Sequence, residues 1–75
     1  MAQTTINVIL TQSPTELYKI LKFEGLSSSG AEAKMAVADG LVKVNGVVER
    51  QKRKKIIAGD VVEFAGTILN ISCEV

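Results

Sequence analysis

Residues 40–48 read Gly-Leu-Val-Lys-Val-Asn-Gly-Val-Val. Asn45-Gly46 lies between two runs rich in β-branched residues. A two-residue type I′ turn needs positive φ at both central positions, and Asn-Gly tolerates that best. The stretch therefore predicts a hairpin with Val44 opposite Val47 and Lys43 opposite Val48. Side chains alternate along a strand, so Val42 and Val44 share one face and Lys43 takes the other. Gly40 stands where a helix would end in a left-handed residue. The segment reads as a helix handing over to a hairpin, the mark of an α+β domain.

Upstream, Ser29-Gly30-Ala31-Glu32 has the Ser-x-x-Glu spacing of a capping box. Ala33, Ala36 and Val37 follow as a narrow apolar stripe, predicting a helix that Gly40 stops. Ser13 and Glu16 repeat the same spacing, with Pro14 at the first helical position. Leu17, Ile20 and Leu21 follow at helical intervals, and Gly25 is a natural stop. The joint Leu26-Ser27-Ser28 is short, so the two helices should form a hairpin. Before them, residues 5–10 predict a strand with Ile6, Val8 and Leu10 on one face.

Downstream, Gln51 to Lys55 reads as a polar, basic connection. Ala58-Gly59-Asp60 predicts a turn, Val61 to Phe64 a strand, and Ala65-Gly66 a second tight turn. Thr67 to Val75 predicts a final strand with Leu69, Ile71, Cys73 and Val75 on one face. There is no repeat, low-complexity tract or linker, and 75 residues make a single domain over 1–75. A chain of this size hides only about 60% of its unfolded surface, so a large enclosed pocket is not expected.

Composition excludes several chemistries. There is no His, which removes Ser-His-Asp and Cys-His catalysis and His-ligated metal. The single Cys73 allows no internal disulfide and no multi-cysteine zinc site, and reads as a small buried hydrophobe. With no Trp, one Tyr and two Phe, a broad surface of stacked aromatics is hard to build. No apolar run approaches the roughly 18 residues of a membrane span, and residues 1–5 carry no secretory signal. The expectation is a cytoplasmic, non-enzymatic protein without metal or cofactor.

The net charge of +1 conceals a strong asymmetry. Residues 34–55 hold seven Lys or Arg against two Asp or Glu, a local charge of +5. The remainder holds two against six, a charge of −4. A basic middle suggests a polyanionic partner. Ser29, Gly30 and Ala31 are small residues at a helix start, where exposed N–H groups and the helix dipole favour an anion. Lys34 lies one turn further on. Arg50 lies two residues after Val48 and so shares the face of Lys43, as Lys52 does if the strand continues. Together with Arg53, Lys54 and Lys55 these residues predict one basic surface suited to a nucleic-acid backbone.

Taken in order, Leu17 with Ile20-Leu21-Lys22, Gly25-Leu26, Ser29-Gly30-x-Glu32-Ala33-Lys34, Gly40-x-Val42-x-Val44-Asn45-Gly46, Lys55-Ile56 and Gly59-Asp60-x-Val62 resemble the RNA-binding domain of ribosomal protein S-four. The resemblance covers residues 17–64, and its Ser-Gly-x-Glu-Ala-Lys form is that of small stand-alone bacterial YbcJ-like members. It implies an α+β fold, the alpha-L motif, with two packed helices against a small, mainly antiparallel sheet. It also implies an RNA-contacting face of Ser29, Gly30, Lys34, Lys43, Asn45, Arg50, Lys52, Arg53, Lys54 and Lys55. Where many members open their first helix with an Arg-Leu-Asp-like triplet, this chain has Glu16-Leu17-Tyr18. Where they carry Arg after the serine of the second helix, it has Gly30.

The expected function is a stand-alone, monomeric module that binds the phosphate backbone of structured RNA, ribosomal or transfer RNA. The alternative is a protein-interaction or ribosome-associated assembly adaptor with little direct RNA affinity, the basic face meeting an acidic protein. A ubiquitin-like carrier is disfavoured, because the chain ends Cys73-Glu74-Val75 rather than Gly-Gly.

Overall fold

The structure, a computed structural model, describes residues 4–11 and 14–74. Seven strands and two helices run in the order β1 (Thr4–Leu10), β2 (Thr15–Glu16), α1 (Leu17–Phe23), α2 (Gly30–Ala38), β3 (Val42–Val44), β4 (Val47–Val48), β5 (Lys55–Ile56), β6 (Val61–Phe64) and β7 (Thr67–Cys73). Five of them form a sheet in the order β1-β7-β6-β3-β4, and β2 pairs with β5 separately. All pairings are antiparallel except β1 with β7, which is parallel from Thr4↔Thr67 to Leu10↔Cys73.

Alternation in the strands decides where the core sits. Val8 and Leu10 of β1, Val42 and Val44 of β3, Val62 of β6, and Leu69 and Ile71 of β7 are buried on one sheet face. Leu17, Ile20 and Leu21 of α1 and Ala33, Ala36 and Val37 of α2 join them in a single cluster, with Ile56 of β5. Each fully buried Leu or Ile contributes about 1.5–3 kcal/mol of transfer free energy. Lys43, between two buried valines, faces away from that cluster. Cys73, expected inside, is only half-buried.

Both helices end as their glycines predict. Gly25 and Gly40 have φ of +74° and +77°. The N–H groups of Leu26 and Leu41 donate back to Leu21 and Ala36 carbonyls, closing two Schellman motifs. The Asn45-Gly46 turn also forms as expected, with φ of 53° and 83° and the pairs Lys43↔Val48 and Val44↔Val47.

Three expectations need correction. The first helix starts at Leu17, not near Pro14: Thr15 and Glu16 are extended and pair with Ile56 and Lys55. Ser13 lies outside the described residues, and Glu16 occupies the N-cap position without a side-chain cap. The reason is long-range. The Leu17 and Tyr18 N–H groups donate to the Lys54 and Lys52 carbonyls at 2.9 and 3.1 Å, so main chain does the work expected of a capping serine. Second, the connection Gln51–Lys55 is partly structured, since Lys55 opens β5. Third, β4 stops at Val48, so Arg50 does not continue the face of Lys43.

Candidate nucleic-acid interface

Segment 51–55 holds the densest run of positive charge, and its main chain is fixed at several points. Lys52 and Lys54 give their carbonyls to the first turn of α1. The Lys54 N–H donates to the Gln51 carbonyl, and Lys55 pairs with Glu16. Because the backbone holds the loop, the four side chains are free to face solvent, and Lys52, Arg53, Lys54 and Lys55 are all exposed.

Tyr18 links this loop to the second helix. Its N–H is bonded to Lys52, and its ring lies under Lys34, with Nζ 4.7 Å from the ring centroid. A cation over an aromatic face is attracted by the ring quadrupole, which steadies an otherwise mobile ammonium. Tyr18 and Lys22 are one helical turn apart and both reach the start of α2: a Cβ built on Gly30 would lie 3.9 Å from each side chain. Gly30 is therefore half-buried beneath α1 rather than an open floor for a phosphate. At Ser29 the predicted cap forms, its Oγ accepting from the Glu32 N–H at 3.1 Å. The Glu32 carboxylate accepts from the Ser28 hydroxyl instead of closing the box on Ser29.

The remaining expected site residues stand apart from this group. Lys43 projects from the sheet face opposite the helices, across from Glu63. Arg50 folds onto the end of α2, its Nη1 donating to the Ala38 carbonyl at 3.3 Å, a favourable place for a cation at a helix C-terminus. Gly40 makes room for it: a Cβ there would lie 2.8 Å from the guanidinium carbon. Asn45 is taken up by the fold. Its amide N donates to Asp60 Oδ1 at 3.1 Å, and its Oδ1 accepts from the Val61 N–H at 2.9 Å.

Sequence reasoning passed over Tyr18, Lys19, Lys22 and Glu16 as site residues. The Tyr18–Lys22 spacing was a usable signal; the closeness of Tyr18 to Lys34 and Lys52 depends on the fold. Glu16 is the anion of the cluster. Lys19 Nζ lies 3.2 Å from its carboxylate. That hydrogen bond, with the charges of Lys19, Lys55 and Arg53, holds Glu16 below its ordinary value of 4.5 against an opposing push from partial burial. Beside these residues an open cleft of about 430 Å³ separates the end of β1 from α1.

Among the described residues there is no cluster of His, Cys, Asp or Glu placed to hold a metal ion, and no helix long and apolar enough to cross a membrane.

Residues 8–72 match the family model of the S4 domain. The chain is 61% identical over 51 residues to YbcJ of Escherichia coli (strain K12), spanning 68% of this chain and 73% of that protein. It is equally similar, over the same extent, to YbcJ of Shigella flexneri. The solution structure of YbcJ from E. coli, described as revealing an alpha-L motif involved in RNA-binding, superposes with a TM-score of 0.65 at 44% identity. That match covers 96% of this chain and 90% of the other. Two helices on a mainly antiparallel sheet are thus the alpha-L arrangement, and this chain belongs to the S4 domain family.

Proposed function

We propose that this chain is a non-catalytic module that binds structured RNA, ribosomal or transfer RNA, through the phosphate backbone. The observation that supports it most is the anchoring of segment 51–55. Two of its carbonyls are bonded to α1, its four cationic side chains are exposed, and Tyr18, whose N–H is bonded to Lys52, carries Lys34 over its ring. Preorganised cations of this kind suit the regular phosphate spacing of an A-form helix, whose deep major groove side chains cannot enter. Lys34, Lys52, Arg53, Lys54 and Lys55 form the centre of the interface. Lys43, on the far sheet face, and Arg50, folded onto the end of α2, lie outside that centre, and Ser29, Gly30 and Asn45 serve the fold.

The test is a salt titration of binding to a labelled stem-loop RNA. Engagement of about four phosphates gives a log–log slope on the order of −3. Replacing Lys52, Arg53, Lys54 and Lys55 by Ala leaves the carbonyl anchors in place, so the variant folds but loses most of that slope. A folded variant with undiminished affinity and slope rules this surface out. Shallow salt dependence in the wild type, with recovery of a protein partner after nuclease treatment, favours the adaptor reading instead.

A further inference from the structure

The cleft between β1 and α1 has a volume of about 430 Å³, within the roughly 300–1,000 Å³ range of small-ligand sites. Its lining is unusual for this chain. Two of the three aromatic residues, Tyr18 and Phe23, line it. Phe23 is 69% exposed, so it is not required by the core. Lys22 and Lys55 stand at the same cleft, and Lys55 and Tyr18 also belong to the basic surface described above. Apolar and aromatic walls beside phosphate-binding cations are the two halves of a nucleotide's chemistry: a π-face to stack and a charge to neutralise.

Building on the RNA reading above, we infer that this cleft takes one unpaired nucleobase, stacked against Phe23, while the adjoining phosphates lie on Lys22 and Lys55. The module then binds a structured RNA at a bulge, loop or end rather than along an uninterrupted helix. A paired base would have to be extruded at a cost of a few kcal/mol, whereas an unpaired one is already available. Glu24, which also lines the cleft, carries only acceptors. It can accept from a donor on the base edge, whether an exocyclic amino group or a ring N–H.

The experiment compares three RNA stems under one buffer: fully paired, with a single bulged cytidine, and with an abasic residue at the bulge. Wild type, F23A and F23W are titrated against each, and their folds are checked by circular dichroism. Wild type should bind the cytidine bulge about tenfold tighter than the abasic bulge, the order of one base stacked on an aromatic side chain. F23A should erase that difference while leaving affinity for the paired stem unchanged, and F23W should preserve it. Equal affinity of wild type for the cytidine and abasic bulges overturns the inference and leaves the cleft to an extended peptide. So does a loss in F23A that is the same on all three RNAs. Failure of the RNA reading itself shows separately, as absence of salt-dependent binding to every RNA, the paired stem included, and it removes this inference too.

Discussion

Nζ of Lys34 stands 4.7 Å from the centroid of the Tyr18 ring, while the Tyr18 main-chain N–H is bonded to Lys52. One residue of α1 therefore sets both the position of the α2 lysine and that of the basic loop. A cation–π contact at a partly exposed site is worth about 0.5–1 kcal/mol. In a Y18L and K34M double-mutant cycle followed by urea unfolding, the coupling energy should fall in that range. Y18F should retain it, because the ring remains. Y18L should also weaken binding to a stem-loop RNA by roughly two- to fivefold. A coupling indistinguishable from zero would remove Tyr18 as the organiser of this surface.

Glu16 sits among Lys19, Lys55 and Arg53, and its carboxyl titrates below 4.5. A carboxyl depressed in the folded state adds stability that is present above its unfolded value and lost as pH falls through the folded one. The urea midpoint of the wild type should therefore exceed that of E16Q near neutral pH, and the two should converge on acidification below about 4.5. For RNA the sign reverses. Removing this anion from the cationic cluster should make E16Q bind more tightly than wild type at neutral pH and low salt. Equal RNA affinities would show that Glu16 lies outside the field felt by RNA.

Gly40 and Arg50 form one unit at the end of α2. A left-handed conformation costs a non-glycine residue about 1–2 kcal/mol. A methyl group at position 40 would also meet the guanidinium. G40A should lose about 1–2 kcal/mol, and R50A about 0.3–1 kcal/mol through the helix terminus. Since G40A already displaces Arg50, the double variant should be no less stable than G40A alone. Full additivity in chemical denaturation would contradict the contact.

The two tight hairpins use different residues for the same geometry. Asn45 and Ala65 both open a turn with φ near +50°, followed by glycine. Asn tolerates this region; Ala does not. A65N should therefore stabilise the domain by about 0.5–1 kcal/mol, read as a higher thermal midpoint, with RNA binding unaltered. A lowered midpoint would mean that the β6–β7 turn is held by something other than its backbone preference.

Legibility in the sequence followed the range of the interactions. The α2 cap, the Asn45-Gly46 hairpin and both glycine stops rest on contacts within a few residues, and each appeared where the local pattern put it. The start of α1 did not, because its first N–H groups are satisfied by carbonyls some 35 residues away. Ser13 and Glu16 have the right spacing for a cap, but Glu16 is drawn into a strand pair with Lys55 that no local pattern announces. The basic run was visible as composition; its anchoring was not. Lys43, Arg50 and Lys52 would share a face only if β4 continued beyond Val48. Tyr18, one of two aromatics in α1, gave no hint that it would meet Lys34.

The parallel pairing of β1 with β7 also carries a temporal consequence. Among the described residues, the sheet partner of Thr4–Leu10 is Thr67–Cys73 and nothing nearer. During synthesis β1 emerges before β7, so its sheet partner is complete only once residue 73 has been added. The intervening helices and hairpins can assemble while it waits, but joining β1 to β7 closes a loop of about sixty residues, the slowest kind of contact to form. Completion of this sheet is thus a late step in folding. In the interval, a strand carrying Ile6, Val8 and Leu10 is open to any other chain with an unsatisfied edge.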